Sequence, residues 1–339
     1  MRAALMERGR IWVDDVPDPS PRPGEVVVKS VACGICGSDL HAARHTDEFV
    51  ATSIEAGGAF KLTTFDPVVL GHEYCAEVME SNARFRAGQL VCAVPVLPRG
   101  PNVPVGYAPE APGGFAQYML LSERLLVPVP AGLDAELAAL TEPMAVGLHA
   151  VNMARLSGRE AIIVIGAGPV GLAVTANLVS VGAAPVVVAE FSPKRRELAE
   201  AMGADIVLDP READPYATNE VGRRDEVVIF ECVGVPGMID GIFLRAPRRA
   251  RIVVVGVCLE MDHARPLIAV NKELNVQYVL GYDMAEFEGT LKRIADGGLD
   301  VGPVITHSVG LGEVAGAFDA LGEPDAYGKV IVQPWLEHG

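Results

Sequence analysis

The feature that most narrows the fold is a glycine turn, Gly166-Ala-Gly-Pro-Val-Gly171. It lies between an unbroken apolar run at 161–165 and an apolar stretch reaching about residue 181. Five apolar residues bounded by turn signals read as a buried strand, and the longer stretch reads as a helix. A G-x-G-x-x-G spacing alone is weak, but between a strand and a helix it marks a dinucleotide-binding unit. Gly166 permits the tight turn, Gly168 lets backbone approach a pyrophosphate, and Gly171 lets helix pack on strand. Pro169 and Val170 belong to the same turn, where the helix N-terminus offers N–H groups and a positive dipole end to phosphate. Further on, 185–189 reads as the next strand, Ser192 as an N-cap, Pro193 as the first helical position and Gly203 as a stop. Runs at 206–208, 227–230 and 252–257 continue the alternation, which predicts a doubly wound parallel sheet. Glu190, ending the second strand, is placed to accept from both adenosine ribose hydroxyls and would repel a 2′-phosphate. NAD is therefore favoured over NADP. Lys194, Arg195 and Arg196 weigh the other way if they face the ribose; otherwise they form a solvated helix face.

At 339 residues the chain exceeds one comfortable domain, so two are expected. A formal charge of −16 argues against nucleic acid and anionic membrane surfaces as partners. No apolar run approaches the roughly 20 residues of a membrane span, and no basic start leads into an apolar leader. Six cysteines are too sparse here for a disulfide framework, so a reducing, cytoplasmic location is expected. Short apolar runs at 26–31, 90–96 and 115–121, among many Pro and Gly, predict a β-rich first third. Residues 99–114 read as a loop. The C-terminal part predicts helices at 284–295 and about 311–321, then a strand at 329–332.

Three separated segments carry metal-ligand chemistry: Cys33-Gly-Ile-Cys-Gly-Ser-Asp-Leu-His41, Gly71-His72-Glu73 and Glu142-Pro143. A thiolate, an imidazole and carboxylates are what a catalytic zinc takes, with about three protein ligands and one open position. The Cys33–Cys36 spacing also fits a redox pair or half of a zinc knuckle, but no second Cys-x-x-Cys completes a knuckle.

These motifs, in this order, resemble the zinc-dependent medium-chain alcohol dehydrogenases, nearest the sorbitol and threonine dehydrogenase branch with its Glu-Pro motif. The resemblance spans nearly the whole chain. It implies an α/β protein in which a Rossmann sheet (153–280) is inserted into a GroES-like β-rich catalytic domain (1–152 and 281–339). Carried over by position, Cys36 and His72 match zinc ligands, so Cys36 counts among the catalytic residues. Glu73 matches a carboxylate that binds zinc directly or stands just behind it, and Glu142 matches the remaining ligand position. Asp39 resembles the carboxylate that orients the ligand histidine. Ser38 matches the hydroxyl facing the substrate oxygen, His41 the outer end of a proton relay, and Arg195 a basic residue near the adenosine ribose. Cys33 reads as a packing residue.

Two departures from the family pattern stand out. Many members hold a second, structural zinc on four close cysteines; residues 93–114 contain none, so one zinc is expected. The stretch 44–66 carries Phe49, Phe60 and Phe65, which either shape the substrate pocket or pack the segment on the core. The function implied is hydride transfer between a secondary alcohol, polyol or amino alcohol and NAD, in a homo-oligomer (dimer or tetramer). The competing readings are a zinc-independent quinone or enoyl reductase on the same fold, and an NADPH-dependent aldehyde or ketone reductase.

Overall fold

The strand–helix alternation folds, in the computed structural model, into a six-stranded parallel sheet. The structure describes residues 1–58, 60–323, 325 and 327–337. Across the sheet the strands run Ile206–Leu208, Val186–Ala189, Glu160–Ile165, Glu226–Glu231, Arg251–Val254 and Asn275–Tyr278. In chain order this is 3-2-1-4-5-6, the Rossmann arrangement, whose order reverses beside Glu160–Ile165. Helices cover both faces, so the central strands carry apolar residues throughout: Ala161, Ile163, Val164, Val187, Ile229 and Phe230 are fully buried.

Two compact units divide the chain, 1–142 with 305–339, and 143–304. This division differs from the boundaries read at 152 and 281, and the contacts of residues 143–152 and 281–304 give the reason. Asn177 donates to the Met144 carbonyl at 2.9 Å and accepts from Arg293 at 3.0 Å. A Cβ on Gly147 would stand 2.6 Å from the Ala173 backbone, so only glycine allows that approach. His149 and Asn152 both meet the Glu286 carboxylate, at 2.9 and 2.8 Å. Glu286 also closes a capping box with Asp283 at the start of helix Met284–Ala295.

The first unit is built on a seven-stranded sheet. Its long strand Glu25–Gly34 pairs antiparallel with Glu73–Val78, with Tyr118–Ser122 and with Lys329–Val332. Leu90–Ala93 and Leu126–Pro128 extend one side, and Ile305–Val309 joins Lys329–Val332 in parallel. Two segments differ from their sequence reading. Residues 44–66 contain a helix, Thr46–Glu55, and the loop read at 99–114 holds one arm of a hairpin, Val96–Pro98 with Asn102–Pro104.

Candidate active site

Cys36 leaves the end of strand Glu25–Gly34 and stands at the N-cap of helix Gly37–Arg44. Asp39, fully buried in the first turn, accepts the Cys36 N–H at 3.0 Å and so fixes where the helix begins. His72 and Glu73 enter strand Glu73–Val78 from Gly71, whose φ of +100° suits glycine. The register sets Gly34 opposite Glu73, and a Cβ there would stand 2.2 Å from Glu73 Oε2. Glycine at 34 thus makes the room that the carboxylate occupies.

One ligand atom from each of Cys36, His72 and Glu73 lies within 4.8 Å of the other two, the one such group among the described residues. Cys36 is partly buried; His72 and Glu73 are buried. His72 Nδ1 stands 3.4 Å from Asp39 Oδ1, and both atoms are buried without an aligned hydrogen bond. With Nδ1 on the Asp39 side, Nε2 is the ring nitrogen left for a metal. Burial disfavours the charged imidazole, but Asp39 and Cys36 outweigh it and hold the His72 pKa well above its usual value. Sulfur, nitrogen and oxygen donors converging on one point, with a carboxylate behind the imidazole, fit a catalytic zinc.

Sequence reasoning missed the partner of Glu73. Lys329, 3% exposed, donates to both carboxylate oxygens at 2.8 and 2.7 Å and to the Ile35 carbonyl at 3.1 Å. Burial opposes the ammonium charge, yet Glu73, Cys36 and Glu142 hold its pKa above the ordinary lysine value. A carboxylate has about four acceptor positions, so the ion pair leaves Glu73 able to ligate. The signal was a lysine opening the otherwise apolar strand Lys329–Val332, all four residues of which are buried.

Around the trio, Tyr107 donates to Ser38 Oγ at 2.7 Å and sets its ring 5.1 Å from the His72 ring. Phe49 and Phe60 complete an aromatic cluster with Tyr107, whereas Phe65 is 81% exposed. His41 is partly buried, and burial with the nearby His45 and Arg44 lowers its pKa, leaving it uncharged near neutral pH. Cys33 is fully buried, its thiol pushed up by burial and by the Asp39 and Glu73 charges, and it stands outside the trio. Glu142 is half-buried and also outside the trio, though its charge is felt at Lys329 and Tyr74.

In the second unit the glycine turn has the expected geometry. A Cβ on Gly171 would stand 1.9 Å from the Gly166 carbonyl oxygen, and Gly166 itself has φ +90°. Helix Pro169–Ser180 starts at Gly168, which makes no side-chain cap bond to its first turn. Over Gly168 the nearest atom to an added Cβ is Arg195 Nη1 at 4.0 Å. Glu190 is buried; it accepts the Ala167 N–H at 2.7 Å and the Ser192 N–H at 2.9 Å, tying the turn to the start of the next helix. Arg196 is no solvated helix residue. It donates to the carbonyls of Glu190 and Phe191 at 2.9 and 2.7 Å and to Asp209 at 3.1 Å.

These two sites have known counterparts. Residues 22–131 match the alcohol dehydrogenase GroES-like domain, and residues 169–296 match the zinc-binding dehydrogenase domain. The chain is 30% identical over 352 residues to (R,R)-butanediol dehydrogenase of Bacillus subtilis, covering 98% of this chain and 100% of that one. It belongs to the zinc-dependent medium-chain alcohol dehydrogenases. Sorbitol dehydrogenase of Bacillus subtilis is 29% identical, over 98% of this chain and 97% of its own. A zinc-binding dehydrogenase of Sinorhizobium meliloti 1021, solved bound to NADP, superposes with a TM-score of 0.82 at 27% identity, covering 98% and 99% of the two chains. As a medium-chain alcohol dehydrogenase the chain is an oxidoreductase, in a family that combines zinc with a nicotinamide cofactor. Among the described residues no helix is long and apolar enough to cross a membrane.

Proposed function

We propose that this dehydrogenase reversibly oxidises small secondary alcohols, polyols or amino alcohols with NAD, at one zinc held by Cys36, His72 and Glu73. The convergence of those three donors within 4.8 Å is the observation that carries the reading. Zinc bound there supplies Lewis acidity, which lowers the pKa of an alcohol hydroxyl toward neutrality. A nicotinamide bound on the glycine turn supplies the hydride acceptor. The chain's own residues do the rest. Ser38 takes the hydroxyl proton, and His41, uncharged near neutral pH, gives it an outlet. Asp39 keeps the His72 ring turned. Glu142, whose charge is felt at Lys329, is the candidate replacement carboxylate. The absence of cysteine from 93–114 supports a single zinc.

Glu190 supports NAD: its buried carboxylate, already anchored to Ala167, retains acceptor capacity for ribose hydroxyls and would repel a 2′-phosphate. Zinc-loaded protein should reduce NAD with at least one of butane-2,3-diol, sorbitol, threonine or propan-2-ol, followed by absorbance of the reduced cofactor. Chelation should remove that turnover. Turnover indifferent to chelation refutes the zinc role, and a preference for NADP refutes the cofactor assignment.

We also propose a homo-oligomer joined at strand Asn275–Tyr278. Among the described residues this strand is an unpaired edge of the parallel sheet, and edges of this kind template pairing. Tyr278, which ends the strand, and Leu280 just beyond it are 65% and 83% exposed, as are Leu267 and Val270 to a similar degree. Light scattering should give a mass of at least two chains; a single-chain mass at micromolar concentration would exclude it.

A further inference from the structure

Tyr107 is 3% exposed, and its cage is aromatic: Phe49 at 6.0 Å, Phe60 at 4.8 Å and His72 at 5.1 Å between ring centres. Phenylalanine would fill that cage without the cost of burying a hydroxyl, which is worth bearing only where the hydroxyl is hydrogen-bonded. The hydroxyl has such a partner in Ser38 Oγ, at 2.7 Å. The backbone holds the ring in place. Tyr107 accepts the Lys61 N–H at 3.1 Å. The preceding Gly106 lies so close to Gly71 that a Cβ there would meet its carbonyl oxygen at 3.0 Å. The Tyr107 turn is therefore packed directly on the turn that presents His72 and Glu73.

A serine hydroxyl has one proton to give and two lone pairs. With Tyr107 donating into one lone pair, the second can accept a substrate proton and the serine O–H is left to donate onward. We propose that Tyr107 is a positioning residue of the alcohol reaction, acting through Ser38 by fixing the direction of its hydroxyl. This rests on the function proposed above.

The test compares zinc-loaded parent, Tyr107→Phe, Ser38→Ala and the double variant, using NAD and whichever of the four panel alcohols the parent turns over fastest. Tyr107→Phe should lower kcat about 5- to 10-fold, the worth of one hydrogen bond, with KM within about twofold. Ser38→Ala should lower kcat by about 100-fold or more, and Tyr107→Phe should cost nothing further on that background. In urea unfolding without substrate, the midpoint shifts of the two single variants should likewise fail to add. An unchanged kcat in Tyr107→Phe, the same loss on both backgrounds, or additive unfolding shifts each overturn the positioning role while leaving the dehydrogenase reading intact. A zinc-loaded parent that turns over none of the alcohols overturns both.

Discussion

Replacing Cys36 with serine is expected to give a folded, nucleotide-binding protein that holds no zinc and oxidises no alcohol. The substitution removes one atom type and almost nothing else. Cys36 is the N-cap of helix Gly37–Arg44, with extended backbone at φ −92° and ψ 155°, and serine is among the preferred residues there. The helix start also keeps its bond from the Cys36 N–H to Asp39, because that bond uses backbone. Thermal stability of the zinc-free variant should therefore match or exceed that of the zinc-free parent. The ligand set, by contrast, loses its soft anionic donor, since a serine hydroxyl stays protonated where a thiol can bind as thiolate. Without the several kcal/mol that a metal Lewis acid supplies, kcat should fall by at least about 1,000-fold. Metal analysis by mass spectrometry, fluorescence titration with NADH and initial rates read these three consequences separately. Stoichiometric zinc in the variant, or turnover near that of the parent, would show that sulfur 36 is no ligand.

The sequence was most informative where spacing along the chain is itself the geometry. The glycine turn is read from neighbouring residues, and the close approach of Gly171 to Gly166 is a contact across five positions. Helix Met284–Ala295 and strand Lys329–Val332 fall where periodicity and apolar run placed them. The convergence of Cys36 with His72 and Glu73 followed from family resemblance, since strand pairing between Glu25–Gly34 and Glu73–Val78 cannot be deduced from either segment alone. Tyr107 was invisible for the opposite reason. It sits in a Pro- and Gly-rich stretch without periodicity, and its position is set by packing on Gly71, some 36 residues earlier. Helix Thr46–Glu55 lacked an apolar period to read: of its buried residues Thr46, Phe49 and Ser53 only Phe49 is apolar, and Ile54 is 68% exposed. Lys329 reads locally as a charged strand end. Only the sheet register explains its burial: Ile331 pairs with Gly34, which pairs with Glu73, and Lys329 shares the Ile331 face. Glycine at 34 leaves that row open, and the lysine reaches across it.

Lys329→Met is accordingly expected to be among the most destabilising single changes in the first unit, at about 3–5 kcal/mol in the zinc-free protein. The magnitude follows from what remains. Glu73 is 0% exposed, and without Lys329 its carboxylate loses the one ion-pair partner it has among the described residues. Methionine fills the volume of the lysine stem, so lost packing contributes little and the loss reports the charge. Two further measurements separate this account from a general packing defect. Adding Glu73→Gln should restore a large part of the lost stability, because removing both charges costs less than stranding one. Zinc should stabilise Lys329→Met by more than it stabilises the parent, since a cation at Cys36, His72 and Glu73 replaces the missing ammonium beside the same carboxylate. Urea unfolding of the parent, Lys329→Met and the double variant, with and without zinc, decides the matter. A loss below about 1 kcal/mol in Lys329→Met, or no recovery on adding Glu73→Gln, would mean that the buried pair does not set the stability of this site.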